Sequence, residues 1–193
     1  MAPHLYLASA SPRRKQLLSQ LGYEFIQFAV DADETQLDNE PPLEYVERLA
    51  RLKAQSAVAK GYTDKPVLGS DTVVVIDGIA LGKPIDQQDF MRTMARLSGR
   101  THQVYTAIAM ADPAKTLSTV VCTDVTFKTL TEQEVQQYWH TGEPLDKAGG
   151  YGIQGVGGKF VTQLSGSYFA VMGLPLYETE QLIQKFTEGY YEQ

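Results

Sequence analysis

Leu5-Tyr-Leu-Ala-Ser9-Ala-Ser11-Pro-Arg-Arg14 decides the fold class. Residues 5–9 read as a short strand. Ser11 then offers a hydroxyl N-cap, and Pro12 brings the fixed φ that suits a first helical position. The helix that follows places Leu17, Leu18 and Leu21 on one face and ends at Gly22, a natural left-handed cap. A strand turning directly into a helix predicts an α/β architecture. The same segment carries the first chemical signal, two hydroxyls and two guanidiniums at a helix N-terminus, where free N–H groups and the helix dipole favour an anion. Arginines there work against the dipole unless an anion faces them, and they pair bidentately with phosphate oxygens. An ordinary capped helix with solvated arginines is the alternative.

Outward from that unit, residues 23–30 alternate as a second strand would, and an acidic loop with Asp31, Asp33 and Glu34 follows. Over 42–60, Val46, Ala50 and Ala57 recur at helical spacing, with Lys53 inside the stripe. Residues 67–77 form the strongest strand, and Asp77-Gly78 signals a hairpin into Ile79-Ala80-Leu81. A helix capped by Asp86 covers 86–97, strands cover 103–111 and 117–129, and the capping box Thr131-x-x-Glu134 opens a helix to about His140. The six glycines within 149–158 require irregular backbone. Strands near 160–164 and 168–172 and a final helix over 176–187 complete the pattern. The prediction is an α/β fold with a mixed, twisted β-sheet flanked by helices, residues 1–193 forming one domain with two lobes around a cleft.

Asp71 interrupts the apolar run Val67-Leu-Gly-Ser-Asp-Thr-Val-Val-Val-Ile76. A carboxylate inside such a strand must be paired, protonated or bound to a cation, so it is either a functional group or a structural one with a private partner. Alternation puts Gly69, Asp71 and Val73 on one face and Ser70, Thr72 and Val74 on the other. Lys53 and Lys83 are weak signals singly. With Arg13 and Arg14 they supply four cations, against the roughly four negative charges of a nucleoside triphosphate.

Gly150-x-Gly152-x-x-Gly155 imitates a dinucleotide fingerprint but has no strand before it and no helix after it. Lys159 follows Gly158 but has Phe160 where a P-loop has Ser or Thr. Gln154, inside the loop, offers donor and acceptor to a base edge, while a mobile lid without ligand contact is the alternative reading. His4, His102 and His140 are too scattered for zinc. A hard Mg²⁺ or Mn²⁺ ion held by phosphates and carboxylates is compatible, with Asp71, Glu34 and Asp124 as candidate ligands.

Composition narrows the partners. Seventeen Lys and Arg against 23 Asp and Glu leave a net charge of −6, which opposes non-specific binding to nucleic acid or anionic membrane. Cys122 is the single cysteine, so no intramolecular disulfide forms and a reducing cytoplasm is expected. The opening residues lack a basic region and a long apolar run, so no signal peptide is expected. The longest aliphatic run, 73–76, is far short of the about 20 residues a spanning helix needs.

Ser9-x-Ser11-Pro-Arg-Arg14, Gly69-Ser-Asp-Thr72, Lys83-Pro84, Ser98-Gly-x-Thr-His102, Thr123-Asp-Val-Thr-Phe127 and Asp146-Lys-Ala-Gly-x-Tyr-Gly-Ile-Gln-Gly155 occur in this order. Over residues 5–178 this series resembles the Maf nucleoside triphosphate pyrophosphatases. The resemblance implies a Maf/ITPase-like fold with a central substrate cleft. It also implies a divalent-metal-dependent hydrolase that converts a nucleoside triphosphate to its monophosphate and pyrophosphate. On it, Asp71 is the catalytic base; Arg13, Arg14, Lys53 and Lys83 hold the phosphates, joined by Ser9; and Glu34 lies near the metal. Arg13, Thr72 and Gln154 match positions of base selection in the branch that prefers dTTP and UTP, with modified pyrimidine nucleotides left open. Ser70 stands where the family usually has Ala, setting a hydroxyl next to Asp71 in the chain. A homodimer is compatible with the sequence and not specified by it. The rival function is a non-catalytic nucleotide-binding regulator of cell division, which the same cationic pocket would serve.

Overall fold

The computed structural model describes residues 4–188; residues 1–3, the start of the segment read for a leader, lie outside it. The chain runs β1 (Leu5–Ala8), α1 (Pro12–Gln20), β2 (Phe25–Phe28), α2 (Pro42–Ala59), β3 (Val67–Ile76), β4 (Ile79–Leu81), α3 (Gln87–Leu97), β5 (Thr101–Ala111), β6 (Thr116–Phe127), α4 (Glu132–Trp139), β7 (Val161–Ser165), α5 (Tyr168–Met172) and α6 (Leu176–Thr187). The sheet order is β2-β1-β3-β5-β6-β7, with β4 also on β3. β1 is parallel to β2 and β3, and the remaining pairs are antiparallel, so the sheet is mixed as expected.

The local signals act where they stand. Ser11 caps α1 by accepting the Arg14 N–H, with Pro12 at the first helical position. Asp86 caps α3, and Thr131 and Glu134 close a reciprocal capping box on α4. Asp77 and Gly78 both take positive φ in the hairpin between β3 and β4.

One face of the sheet carries α2. Val46, Ala50, Ala54 and Ala57 pack against Val67, Val73 and Val75 of β3 and Ala107, Ala109 and Ala111 of β5. Small residues on both sides bring the helix close, and Gly69 makes the closest approach: a Cβ there would lie 2.5 Å from the Ala50 carbonyl oxygen. The other face holds two apolar clusters. Leu5, Leu7, Leu68, Ile108 and Met110 pack with α1 and α6, whereas Val74, Ile76, Val104 and Val125 pack with Phe90, Met94, Tyr138 and Phe160. Between them, β3 and β5 present the polar side chains Ser70, Thr72 and Thr106, which divides the core into two halves along the middle of β3.

One expectation is corrected. Tyr168–Met172 is a short helix, not a strand: Ser167 Oγ caps it by accepting the Ala170 N–H, and Gly173 ends it. A five-residue apolar run has no periodicity of its own, so these flanking residues decide. Its last carbonyls turn inward, where Ala170 O accepts from Thr106 Oγ1 at 2.6 Å and Gly173 O from Arg14 and Ser70. The glycine-rich segment is irregular but ordered by 3₁₀ turns at Ala148–Gly150 and Val156–Phe160. Among the described residues no helix is long and apolar enough to cross a membrane.

Candidate active site

The break in the apolar pattern of β3 opens onto a cleft of about 1210 Å³. Of the ten candidate residues singled out in the sequence, Ser9, Arg13, Arg14, Glu34, Lys53, Asp71, Thr72, Lys83 and Gln154 line it. They come from the β1–α1 turn, the first turn of α1, the loop before α2, α2 itself, β3, the loop after β4 and the glycine-rich segment.

Asp71 projects towards α2, and Lys53 Nζ meets its Oδ1 at 2.9 Å. The same ammonium contacts Glu34 Oε1 at 2.7 Å. Lys53 and Asp71 are 15 % and 14 % exposed while Glu34 is 51 % exposed, so the arrangement grades from a shielded carboxylate to an open one. Gly69 underlies this geometry, because a side chain there would push away the helix turn that presents Lys53. Burial raises the Asp71 pKa above the ordinary aspartate value and the nearby Glu34 adds to it; Lys53 and Arg14 pull the other way without cancelling the shift. Burial also opposes ionisation of Glu34, but the hydrogen bond and charge of Lys53, with Lys83 and Arg14 behind them, outweigh it and hold Glu34 below the ordinary range. Two adjacent carboxylates are thus pushed in opposite directions.

On the opposite face of β3, Arg14 Nη2 donates to Thr72 Oγ1 at 3.1 Å and Nε to Gly173 O at 2.8 Å. Burial pulls the Arg14 pKa down, and the Asp71 charge opposes that fall. Ser70 is corrected here. Its hydroxyl does not approach Asp71; it donates towards Ala107 O and Gly173 O, each at 3.0 Å, because adjacent strand residues face opposite sides. Ser9 Oγ accepts the Ser11 N–H at 3.2 Å at the α1 turn, and Gln27 Nε2 donates to the carbonyls of Ser9 and Ser11. Lys83 and Gln154 are exposed side chains on the rim, and Gln154 Nε2 lies 3.5 Å from Gln16 Oε1. Tyr151 and Ile153 also line the cleft.

Asp124 does not join this group. It lies opposite Gln103 on β6, accepts from the Gln103 amide at 3.2 Å, and is outside the cleft. Among the described residues no three His, Cys, Asp or Glu side chains form a metal-binding group. Glu34 and Asp71 nevertheless supply two hard oxygen donors within reach of one cation, a set that suits Mg²⁺ or Mn²⁺ completed by substrate phosphates.

Several supporting residues escaped the sequence reading. Tyr45 Oη donates to the Glu34 carbonyl at 2.6 Å, and Arg48 ties the same loop through Thr35 O and the Glu40 carboxylate. Thr106 bridges Thr72 and Ala170 O. Glu143 lines the cleft and accepts from the amides of the glycine-rich segment. Tyr45 and Arg48 look like ordinary solvated helix positions, and contacts to main-chain atoms leave no sequence pattern.

Four cationic side chains around a shielded carboxylate make a cleft suited to a polyanion. The profile of the Maf-like protein family matches residues 4–186, and the chain belongs to that family. A dTTP/UTP pyrophosphatase of Pseudoalteromonas translucida (strain TAC 125) is 70% identical over 189 residues, covering 98% of this chain and 100% of the relative. One of Aliivibrio fischeri (strain ATCC 700601 / ES114) is 56% identical over 190 residues, covering 96% of this chain and 100% of the relative. Among solved structures, the Staphylococcus aureus Ham1 protein aligns with a TM-score of 0.47 at 15% identity, over 64% of this chain and 71% of that one.

Proposed function

We propose that this chain is a nucleoside triphosphate pyrophosphatase that hydrolyses dTTP and UTP to the nucleoside monophosphate and pyrophosphate. The observation that carries the reading is the placement of Asp71, shielded and raised in pKa, on the floor of a cleft whose walls hold Arg13, Arg14, Lys53 and Lys83. The names of its full-length relatives support the same activity.

In the mechanism, Arg13, Arg14, Lys53 and Lys83 neutralise the triphosphate, and Ser9 adds a hydroxyl at the α1 turn. Asp71 takes a proton from a water whose oxygen attacks the α-phosphorus; the bond from that phosphorus to the oxygen bridging to the β-phosphorus breaks, and pyrophosphate leaves with the electron pair. A carboxylate with a raised pKa is a better proton acceptor than an ordinary aspartate. Charge grows on the leaving oxygens, and fixed cations in a half-shielded cleft stabilise it more than water would. Glu34 would hold a divalent cation, Mg²⁺ or Mn²⁺, with Asp71 as second oxygen donor in the alternative to its role as base, since a dication on that carboxylate lowers its pKa; the cation would supply charge neutralisation and a more acidic water. Arg13, Thr72 and Gln154 would select the base.

The reading places the enzyme in the cytoplasm, on its single cysteine, and without a nucleic-acid partner, on its net charge of −6. A homodimer would leave it unchanged, since all nine residues belong to one chain. The test is a panel of nucleoside triphosphates with Mg²⁺ or Mn²⁺, scored for monophosphate and pyrophosphate. UTP and dTTP are expected first, CTP weaker, ATP and GTP poor. Preference for GTP would overturn the base assignment, and binding without turnover would favour a regulator.

A further inference from the structure

The glycine-rich segment is built around a side chain of its own protein. Glu143 Oε1 accepts the Val156 N–H at 2.9 Å and Oε2 the Gly157 N–H at 3.0 Å. The Tyr138 hydroxyl donates to Oε2 and accepts the Gly152 N–H at 3.0 Å. One carboxylate and one phenol therefore hold three backbone amides on both sides of Gln154. The fit is tight: a Cβ at Gly155 would fall 1.7 Å from Glu143 Oε1, so glycine is needed for the chain to pass over the carboxylate. Hydrogen bonds to a charged acceptor are among the stronger ones, and a segment held by two of them and by a third amide on the phenol is not a free lid.

We propose that Glu143 is a positioning residue for base selection: its carboxylate, with the Tyr138 hydroxyl, fixes the loop in the conformation that presents Gln154 to the pyrimidine. This rests on Gln154 reading the base. Glu143 has spent its acceptors on the loop, so its contribution passes through Gln154 and not through the phosphates. A glutamine amide accepts from the imide N–H of uracil or thymine and donates to a neighbouring carbonyl, while cytosine presents the reversed pattern. Loss of the fixed loop lets the amide take both poses, which weakens UTP and spares CTP.

The test uses the full chain carrying Glu143→Gln, Tyr138→Phe or Gln154→Ala. The glutamine at 143 keeps one carbonyl oxygen but turns an NH₂ donor towards the second amide. Glu143→Gln is expected to narrow the UTP-to-CTP ratio of kcat/KM by about fivefold or more, and to speed hydrogen exchange at Val156 and Gly157 by about tenfold. Adding Glu143→Gln to Gln154→Ala should narrow the ratio no further, since both act through one contact. A wild-type ratio in Glu143→Gln, or equal proportional losses on UTP and CTP, would overturn the proposal. Should that variant fail to fold, Tyr138→Phe carries the test with a smaller narrowing, and an unchanged ratio there overturns it. An unchanged ratio in Gln154→Ala overturns the base-reading role and this proposal together. A narrowed ratio in Gln154→Ala beside a wild-type ratio in Glu143→Gln overturns the clamp alone.

Discussion

Two carboxylates line the same cleft with opposite equipment. Glu143 accepts two backbone amides and a phenolic hydroxyl; burial opposes its charge, but those donors and Lys147 hold its pKa below the ordinary range. Asp71 receives the Lys53 ammonium, and burial keeps its pKa above the ordinary range. A carboxylate saturated by fixed donors is stabilised as an anion and has little tendency to take a proton. One in a shielded site facing a lysine ammonium keeps its basicity, and an incoming polyphosphate competes for that cation. The surroundings, not the residue type, separate scaffold from chemistry.

The largest effect that would sharpen this contrast is Asp71→Asn, which keeps shape but removes charge and basicity. It should lower kcat by roughly 10²–10⁴-fold while triphosphate binding stays within about tenfold, measured by single-turnover kinetics and calorimetry. Near-native turnover would remove Asp71 from the chemistry. Next come Arg13→Ala, Arg14→Ala and Lys83→Ala, each expected to raise KM and lower kcat with a combined loss of roughly 10²-fold. Arg14 should be the most severe, because its loss also removes the hydrogen bonds it donates to Thr72 and the Gly173 carbonyl. Steady-state kinetics unchanged in all three would break the phosphate-clamp account.

Lys53→Met tests the cation on Asp71 directly. Lys53 lowers the Asp71 pKa, so its removal lets that pKa rise further. The base must be deprotonated to act, and the acid limb of the kcat/KM profile should therefore move to higher pH. A limb that stays put or moves to lower pH would show that Asp71 is not the group titrating.

His102 bears on stability. It is fully buried, with Nε2 2.6 Å from Tyr151 Oη and Nδ1 unpartnered among the described residues, and burial lowers its pKa from 6.5 to about 4 against the opposing pull of Asp124. Between those values the unfolded chain binds more protons than the folded one, so stability falls as pH drops below 6.5. The loss reaches about 3 kcal/mol near pH 4. Urea unfolding across this range should show a shallower loss of stability in His102→Gln than in the wild type, the slope that remains coming from carboxylates such as Glu34 and Glu143 that the fold holds as anions.

Much of the fold was legible because its signals are local. Pro12 behind Ser11, the Thr131–Glu134 box and the Asp77-Gly78 pair each act within a few residues of themselves. Asp71 was legible because it offends its surroundings. Tyr168–Met172 was misread since five apolar residues have no period, and the caps at Ser167 and Gly173 needed a context the run lacks. Asp124 was misassigned because a carboxylate on a strand does not announce how far along the sheet it lies. Glu143 was invisible: its partners are backbone amides 13 and 14 residues away, a relation that folding creates and composition does not encode.

Hydrolysis at the α-phosphorus in this cleft is put to the test by turnover of UTP in ¹⁸O-labelled water with a divalent cation. Mass spectrometry of the products should find one labelled oxygen in UMP and none in pyrophosphate, with both products lost in Asp71→Asn. UDP with free phosphate, or label in the pyrophosphate, would contradict it.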